Sequence, residues 1–209
     1  MTGGTSVLLL VLLLVPLVGA ALVAPIKEQT TAKWVAVAVS VVELALVVIT
    51  WLAYSVPAAR NGARFQLEFA VDWIPAFGTR FALGIDGFAL VMLAITAVLV
   101  PIVMAFSWAE KLPEGRTQSG FYALILATEG LLVGVFAATD VFLFYVFFEA
   151  MLIPMYFLIG RFGGPRRQYA AVKFFLYSLL GGLIMLASVI GLFVVSGREL
   201  GQGTFTWVE

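Results

Sequence analysis

From Val141 to Gly160 the chain reads VFLFYVFFEAMLIPMYFLIG, an apolar run broken by one charge, Glu149. A stretch like this leaves few structural options. A helix rises about 1.5 Å per residue, so about 20 apolar residues match the ~30 Å hydrocarbon core of a bilayer. Within that core the backbone must satisfy its own hydrogen bonds, which selects a helix. Five further segments share the pattern: Thr5–Ala24, Trp34–Tyr54, Gly87–Phe106, Gly120–Ala138 and Ala170–Val195. The 209 residues are 63% hydrophobic and 11% charged, against about 45–50% and 25% in soluble domains. The expected fold is all-α and integral to the membrane: six transmembrane helices in one domain over residues 1–209. Gly19-Ala20-Ala21 gives the first segment the look of a secretory signal. It has no positive n-region and its apolar core is too long, so it reads as an anchor that stays.

The chain has no cysteine and no histidine. Thiolate clusters, disulfides and the usual haem or transition-metal ligands are therefore excluded, and no redox centre is expected in this chain. Twelve acidic and twelve basic groups balance, which argues against a nucleic-acid partner.

Orientation follows from the cationic residues between the segments. With alternating sides, Lys27, Lys33, Lys111, Arg116, Arg161, Arg166 and Arg167 share one side, and Arg60, Arg64, Arg80 and Arg198 the other. The larger set belongs in the cytoplasm, so the N-terminus is expected outside. The longest connection, Ser55 to Asp86, then lies outside too. Within it, Arg64 to Asp72 alternates polar and apolar residues, as do Phe81, Leu83 and Ile85 after the turn-like Ile74-Pro75-Ala76-Phe77-Gly78. This period of two predicts a β-hairpin on the outer surface, either packed on its own bundle or meeting a neighbouring subunit.

Four charges sit well inside the expected spans: Glu43, Glu129, Glu149 and Lys173. A charge at the bilayer centre costs roughly 2.5–3.5 kcal/mol on insertion scales, and such residues mark ion or proton paths. Glu149 lies eleven residues from the cytoplasmic end of its segment, or ~16 Å, close to the midplane. Pro154 frees the carbonyl of Ala150 beside it, which requires a polar, hydrated surrounding. Tyr145 and Tyr156 lie on or near the same helical face. Lys173, near the start of its helix, either snorkels to the headgroups or joins Tyr169 and Tyr177 in a polar stripe into the bundle. Glu43 and Glu129 read first as hydrogen-bonded structural carboxylic acids and second as proton-path candidates. Glu43 has Ser40 and Thr50 as its polar company on the same segment.

One carboxyl has the right energy scale for pumping. Moving a charge through 100 mV is worth ~2.3 kcal/mol. A cation about 7 Å from a carboxylate, at an effective dielectric near 20, interacts by ~2.4 kcal/mol. A glutamate and a lysine of adjustable separation therefore make a sufficient switch. No lysine here is deep enough to partner Glu149, so that partner is expected outside these 209 residues.

Glu129-Gly130-Leu131-Leu132-Val133-Gly134-Val135-Phe136, Asp140 and the run Leu143 to Gly160, with its Phe147-Phe148-Glu149-Ala150-Met151-Leu152-Ile153-Pro154-Met155-Tyr156, resemble the M-type (chain 4) membrane subunits of respiratory complex I. So do Leu83-Gly84-Ile85-Asp86-Gly87 and Ala171-Val172-Lys173-Phe174-Phe175-Leu176-Tyr177. The resemblance covers most of the chain from about Phe81 onward. It implies a proton-translocating, antiporter-like subunit of NADH:quinone oxidoreductase in a bacterial inner (plasma) membrane, with L-type and N-type subunits and lipid as neighbours. NADH, FMN, iron–sulfur clusters and quinone would belong to other subunits. It implies that Glu149 is the pumping glutamate, and that Glu129 and Lys173 match family positions of less defined role. The family has about fourteen helices, its glutamate works with a lysine on a seventh, and this sequence ends at Glu209. Six helices are thus expected to be the N-terminal part of a longer fold. The same fold would serve a multi-subunit cation/proton antiporter, which is the alternative reading, and an inert membrane scaffold is a third.

Overall fold

The computed structural model describes residues 6–109, 112, 115–199, 201 and 203–205. Thr5, Lys111 and Thr206 to Glu209, used above, lie outside the described residues. The chain is a helical bundle with one small sheet. Its elements are α1 (Ser6–Val23), α2 (Gln29–Ala53), α3 (Val56–Arg60), β1 (Gln66–Ile74), β2 (Thr79–Ile85), α4 (Gly87–Phe106), α5 (Gln118–Ala137), α6 (Val141–Phe162) and α7 (Arg167–Glu199). Short 3-10 turns cover Pro75–Phe77 and Ser107–Ala109.

Five helices (α2, α4, α5, α6 and α7) are long and apolar enough to cross a membrane. The sixth expected span is represented by α1, an apolar helix shorter than the other five. The expected boundaries of α4 match, whereas α2, α5, α6 and α7 each extend beyond them. The 33 residues of α7 span ~50 Å, well beyond a hydrocarbon core. Polar residues start three helices where the apolar runs begin. Asp86 accepts from the Ala89 N–H at 2.7 Å, Thr117 from Gly120 at 3.3 Å and Asp140 from Leu143 at 2.9 Å. Each satisfies an N–H that the helix itself leaves unpaired.

Central in the bundle is α5, packed by α1, α2, α4 and α6, while α7 packs chiefly on α6. Close approach depends on missing side chains. A Cβ at Gly130 would collide with Leu17 of α1, one at Gly134 with the Phe147 ring of α6, and one at Gly19 with Val39 of α2. Two apolar clusters result. One, toward the hairpin, gathers Leu9, Leu12, Leu13, Val47, Leu93, Val133 and Leu143. The other, toward the opposite end, gathers Ala20, Val23, Ala36, Met104, Tyr122 and Leu126.

The hairpin lies on its own bundle. β1 and β2 pair antiparallel, with Phe69 opposite Leu83 and Asp72 opposite Arg80. Leu83 and Ile85 are buried and Phe81 half-buried, as the alternation predicts. Arg80 and Thr139 tie β2 down: the Arg80 N–H donates to Asp140 Oδ2 at 3.1 Å, and the Thr139 N–H to the Ala82 carbonyl at 2.9 Å. A bulge between Gln66 and Phe69 puts Leu67 at φ 56°, in the left-handed region. The segment from Gly203 to Phe205 folds back at this end, where the Val141 N–H donates to the Phe205 carbonyl at 2.9 Å. Phe205 is buried against Phe193, with ring centroids 4.8 Å apart.

Candidate functional site

Glu149 stands eight positions beyond the start of α6, or ~12 Å from the hairpin end of that helix. Because α6 runs to Phe162, the carboxyl lies somewhat nearer the hairpin end than the sequence alone places it. Its side chain is half-buried and turned toward α7. There it occupies the space next to Gly182: a Cβ on Gly182 would overlap Glu149 Oε1. Oε1 is buried and has no hydrogen-bond partner among the described residues. Tyr156 faces α7 as well, its ring packed edge-on to Phe175 with centroids 5.6 Å apart. Pro154 is buried within α6 and, lacking an N–H, leaves the Ala150 carbonyl without its helical donor. The α6–α7 contact thus seats one carboxyl in a glycine notch, with a freed carbonyl one residue further along α6. Sequence reasoning found the carboxyl and the proline but not Gly182. The signal was the doublet Gly181-Gly182 inside an apolar helix.

Lys173 does not reach Glu149. It is exposed on α7, with its Nζ 5.9 Å from the Tyr169 ring centroid and 5.8 Å from that of Tyr177. The expected stripe of Tyr169, Lys173 and Tyr177 therefore exists, but it faces away from the described bundle instead of into it. Both tyrosines are more than 60% exposed, which decides the direction. Lys173 also precedes Gly182 by nine positions, or ~14 Å along the axis. The ion pair found among the described residues is Arg80 with Asp72 at 3.3 Å, exposed on the hairpin. No cation among the described residues pairs with Glu149.

Glu43 and Glu129 depart from expectation in a different way. Each is 1% exposed, and all four carboxyl oxygens lack a hydrogen-bond partner among the described residues. Among the described residues neither shows the hydrogen bonds expected of a structural acid. Ser40 and Thr50 do not serve Glu43, since their hydroxyls donate to their own helix, to Val37 O at 2.9 Å and Leu46 O at 2.8 Å. Glu43 on α2 and Glu129 on α5 are close enough to interact electrostatically.

Outside the spans, Asp140 is the other buried acid. Burial pushes its carboxyl above the usual aspartate range, opposed by the backbone N–H groups of Leu143, Arg80 and Phe142 and by the Arg80 charge.

A family model described as NADH:quinone oxidoreductase/Mrp antiporter, transmembrane, matches residues 138–206, which include Glu149, Lys173 and Gly182. NADH-quinone oxidoreductase subunit M of Mycobacterium tuberculosis is 43% identical over 95% of this chain. Over the aligned residues the chain resembles the M-type antiporter-like subunits. It spans 40% of the length of that M-type relative, and the F(420)H(2) dehydrogenase subunit M of Methanosarcina mazei is 32% identical over 93% of this chain and 38% of its own length. Among solved structures, a chain of respiratory complex I from Thermus thermophilus matches with a TM-score of 0.77 and 30% identity, covering 95% of this chain and 38% of that one. The Mrp complex from Dietzia sp. matches with a TM-score of 0.72 and 27% identity, over 94% and 20%.

Proposed function

We propose that the chain forms part of a proton-translocating membrane subunit of NADH:quinone oxidoreductase, in which quinone reduction elsewhere drives proton movement through this fold. The observation that carries the reading is the seat of Glu149, a mid-helix carboxyl at the α6–α7 contact with a buried oxygen that has no partner among the described residues. An ionised carboxyl there is costly without a cation, and a protonated one lacks an acceptor. A cation brought to within about 7 Å favours release of the proton by ~2.4 kcal/mol, and its withdrawal favours uptake. Glu149 is the proton-transfer residue in this reading, and Glu129 and Lys173 are candidates for further steps. Lys173, facing outward, suits a contact with protein beyond the described residues better than a direct exchange with Glu149.

In this reading α1 is a sixth crossing, the N-terminus and hairpin lie outside a bacterial inner membrane, and L-type and N-type subunits and lipid are neighbours. NADH, FMN, iron–sulfur clusters and quinone belong to other subunits. The test is Glu149→Gln in the assembled enzyme, followed by NADH-driven acidification of inverted membrane vesicles. Pumping is expected to fall several-fold while the subunit still assembles. Unchanged acidification per NADH oxidised would overturn the assignment. The similarity to the Dietzia Mrp complex favours one second reading, a subunit of a multi-subunit cation/proton antiporter. Co-purification of NADH-oxidising and quinone-binding subunits separates the two.

A further inference from the structure

The two apolar clusters are separated by a thin polar layer. On α5, Glu129 falls between Leu126 of one cluster and Val133 of the other, and on α2, Glu43 falls between Ala36 and Val47. On α1, Pro16 lies near this level, after Leu13 and before Ala20. A proline has no N–H, so the Leu12 carbonyl loses its usual helical donor. Pro16 lies against Gly130, next to Glu129, where a Cβ would be 3.2 Å from Pro16 Cγ. One level of the bundle thus collects two buried carboxyls from different helices, with Pro16 of a third beside them.

Among the described residues, no hydrogen-bond donor or cation pairs with the carboxyls of this layer. Glu43 and Glu129 have four unpartnered oxygens among the described residues and are buried on two helices, α2 and α5, that pack on each other. No charged residue lies on α1 or α4. On α2 the Lys33 ammonium donates to Trp108 O at 2.6 Å, near the end of the bundle. On α5 the Tyr122 hydroxyl is directed at Met104 O, 3.4 Å away. On α6, Glu149 is turned to α7. A bound proton is the species that converts such a pair from two repelling anions into a donor and an acceptor.

We propose that Glu43 and Glu129 form a second proton-holding site in the α1–α2–α4–α5 half of the bundle, a carboxyl pair that takes up and releases one shared proton separately from Glu149. The step moves a proton only, from a water-borne hydronium to a carboxylate oxygen and back, and makes or breaks no other bond. It rests on the chain's taking part in proton translocation.

The test uses Glu43→Gln, Glu129→Gln, the double variant and Glu149→Gln, each in the assembled membrane enzyme. NADH oxidation, vesicle acidification and the pH profile of acidification are measured, with subunit content checked by immunoblot. For a shared proton, each single variant leaves one titrating carboxyl. Each is expected to retain part of the pumping with a displaced pH profile. The double variant is expected to lose pumping several-fold at normal subunit content, and Glu129→Asp to regain it. Unchanged acidification and pH profile in the double variant, with Glu149→Gln inactive, would overturn this site and leave the proposed function standing. Unchanged pumping in the double variant and in Glu149→Gln alike would overturn both. If the double variant fails to assemble, the pH profiles of the singles decide: two wild-type profiles overturn the pair.

Discussion

The Glu149 carboxyl on α6 fills the space that a side chain on Gly182 of α7 would need. The contact fixes where the carboxyl can be, because neither helix offers it another position without a change of rotamer or of helix separation. Its neighbour Gly181 has open space at the Cβ position. The two adjacent glycines therefore make an internal control.

Gly182→Ala is expected to displace the Glu149 carboxyl and to lower vesicle acidification several-fold, close to the effect of Glu149→Gln. Gly181→Ala is expected to leave it unchanged, and to stabilise α7 by ~0.5–1 kcal/mol through helix propensity. Adding Glu149→Asp to Gly182→Ala withdraws the carboxyl by about 1.5 Å and is expected to restore part of the activity. Equal acidification in the two single alanine variants would show that the notch does not position Glu149.

Leu83 on β2 is 1% exposed and belongs to the cluster at the hairpin end. Leu83→Ala is expected to cost ~2–5 kcal/mol, as for other leucines truncated in a packed interior. The measurement is thermal unfolding of the purified protein in detergent. Val71→Ala, on the exposed strand β1, should shift it far less. Equal shifts would mean that the hairpin does not pack inward.

Much of this was legible in the sequence. Hydropathy found the helices, and alternation found the hairpin and its inward residues Leu83 and Ile85, because both depend on local periodicity. What could not be read was which helix each side chain meets. Glu43 and Glu129 are 86 positions apart and meet only through the packing of α2 on α5. The tyrosine–lysine stripe was correctly placed on one face of α7, yet spacing along a helix does not tell which face is covered. The start of α7 at Arg167 was missed because polar residues continue a helix past the edge of an apolar window.

Asp140 joins two functions, capping α6 through Leu143 and holding β2 through Arg80. Burial raises its folded pKa above that of an exposed aspartate. The folded chain then binds more protons than the unfolded chain once pH exceeds about 3.9. Stability is therefore expected to fall as pH rises from there through the folded pKa. Asp140→Asn is expected to flatten that part of the stability–pH curve, measured by thermal unfolding in detergent. Asp140→Ala loses the cap as well, at ~0.5–2 kcal/mol. A curve of the same slope in wild type and Asp140→Asn would assign the pH dependence to another group.

Gly134 tests the α5–α6 contact that carries the Glu149 helix. A Cβ there would lie 2.5 Å from Cδ1 and 2.6 Å from Cγ of Phe147. Phe147 cannot yield freely, because its ring also packs edge-on against Phe81 of the hairpin, with centroids 6.3 Å apart. Gly134→Ala must therefore push α6 away from α5 or press on β2, and overpacking of this kind costs ~1–3 kcal/mol. Phe147→Leu removes the ring and is expected to recover most of that loss in the double variant, although alone it destabilises. Thermal unfolding of the two single variants and the double variant gives the coupling. Additive shifts would show that Gly134 and Phe147 do not constrain one another.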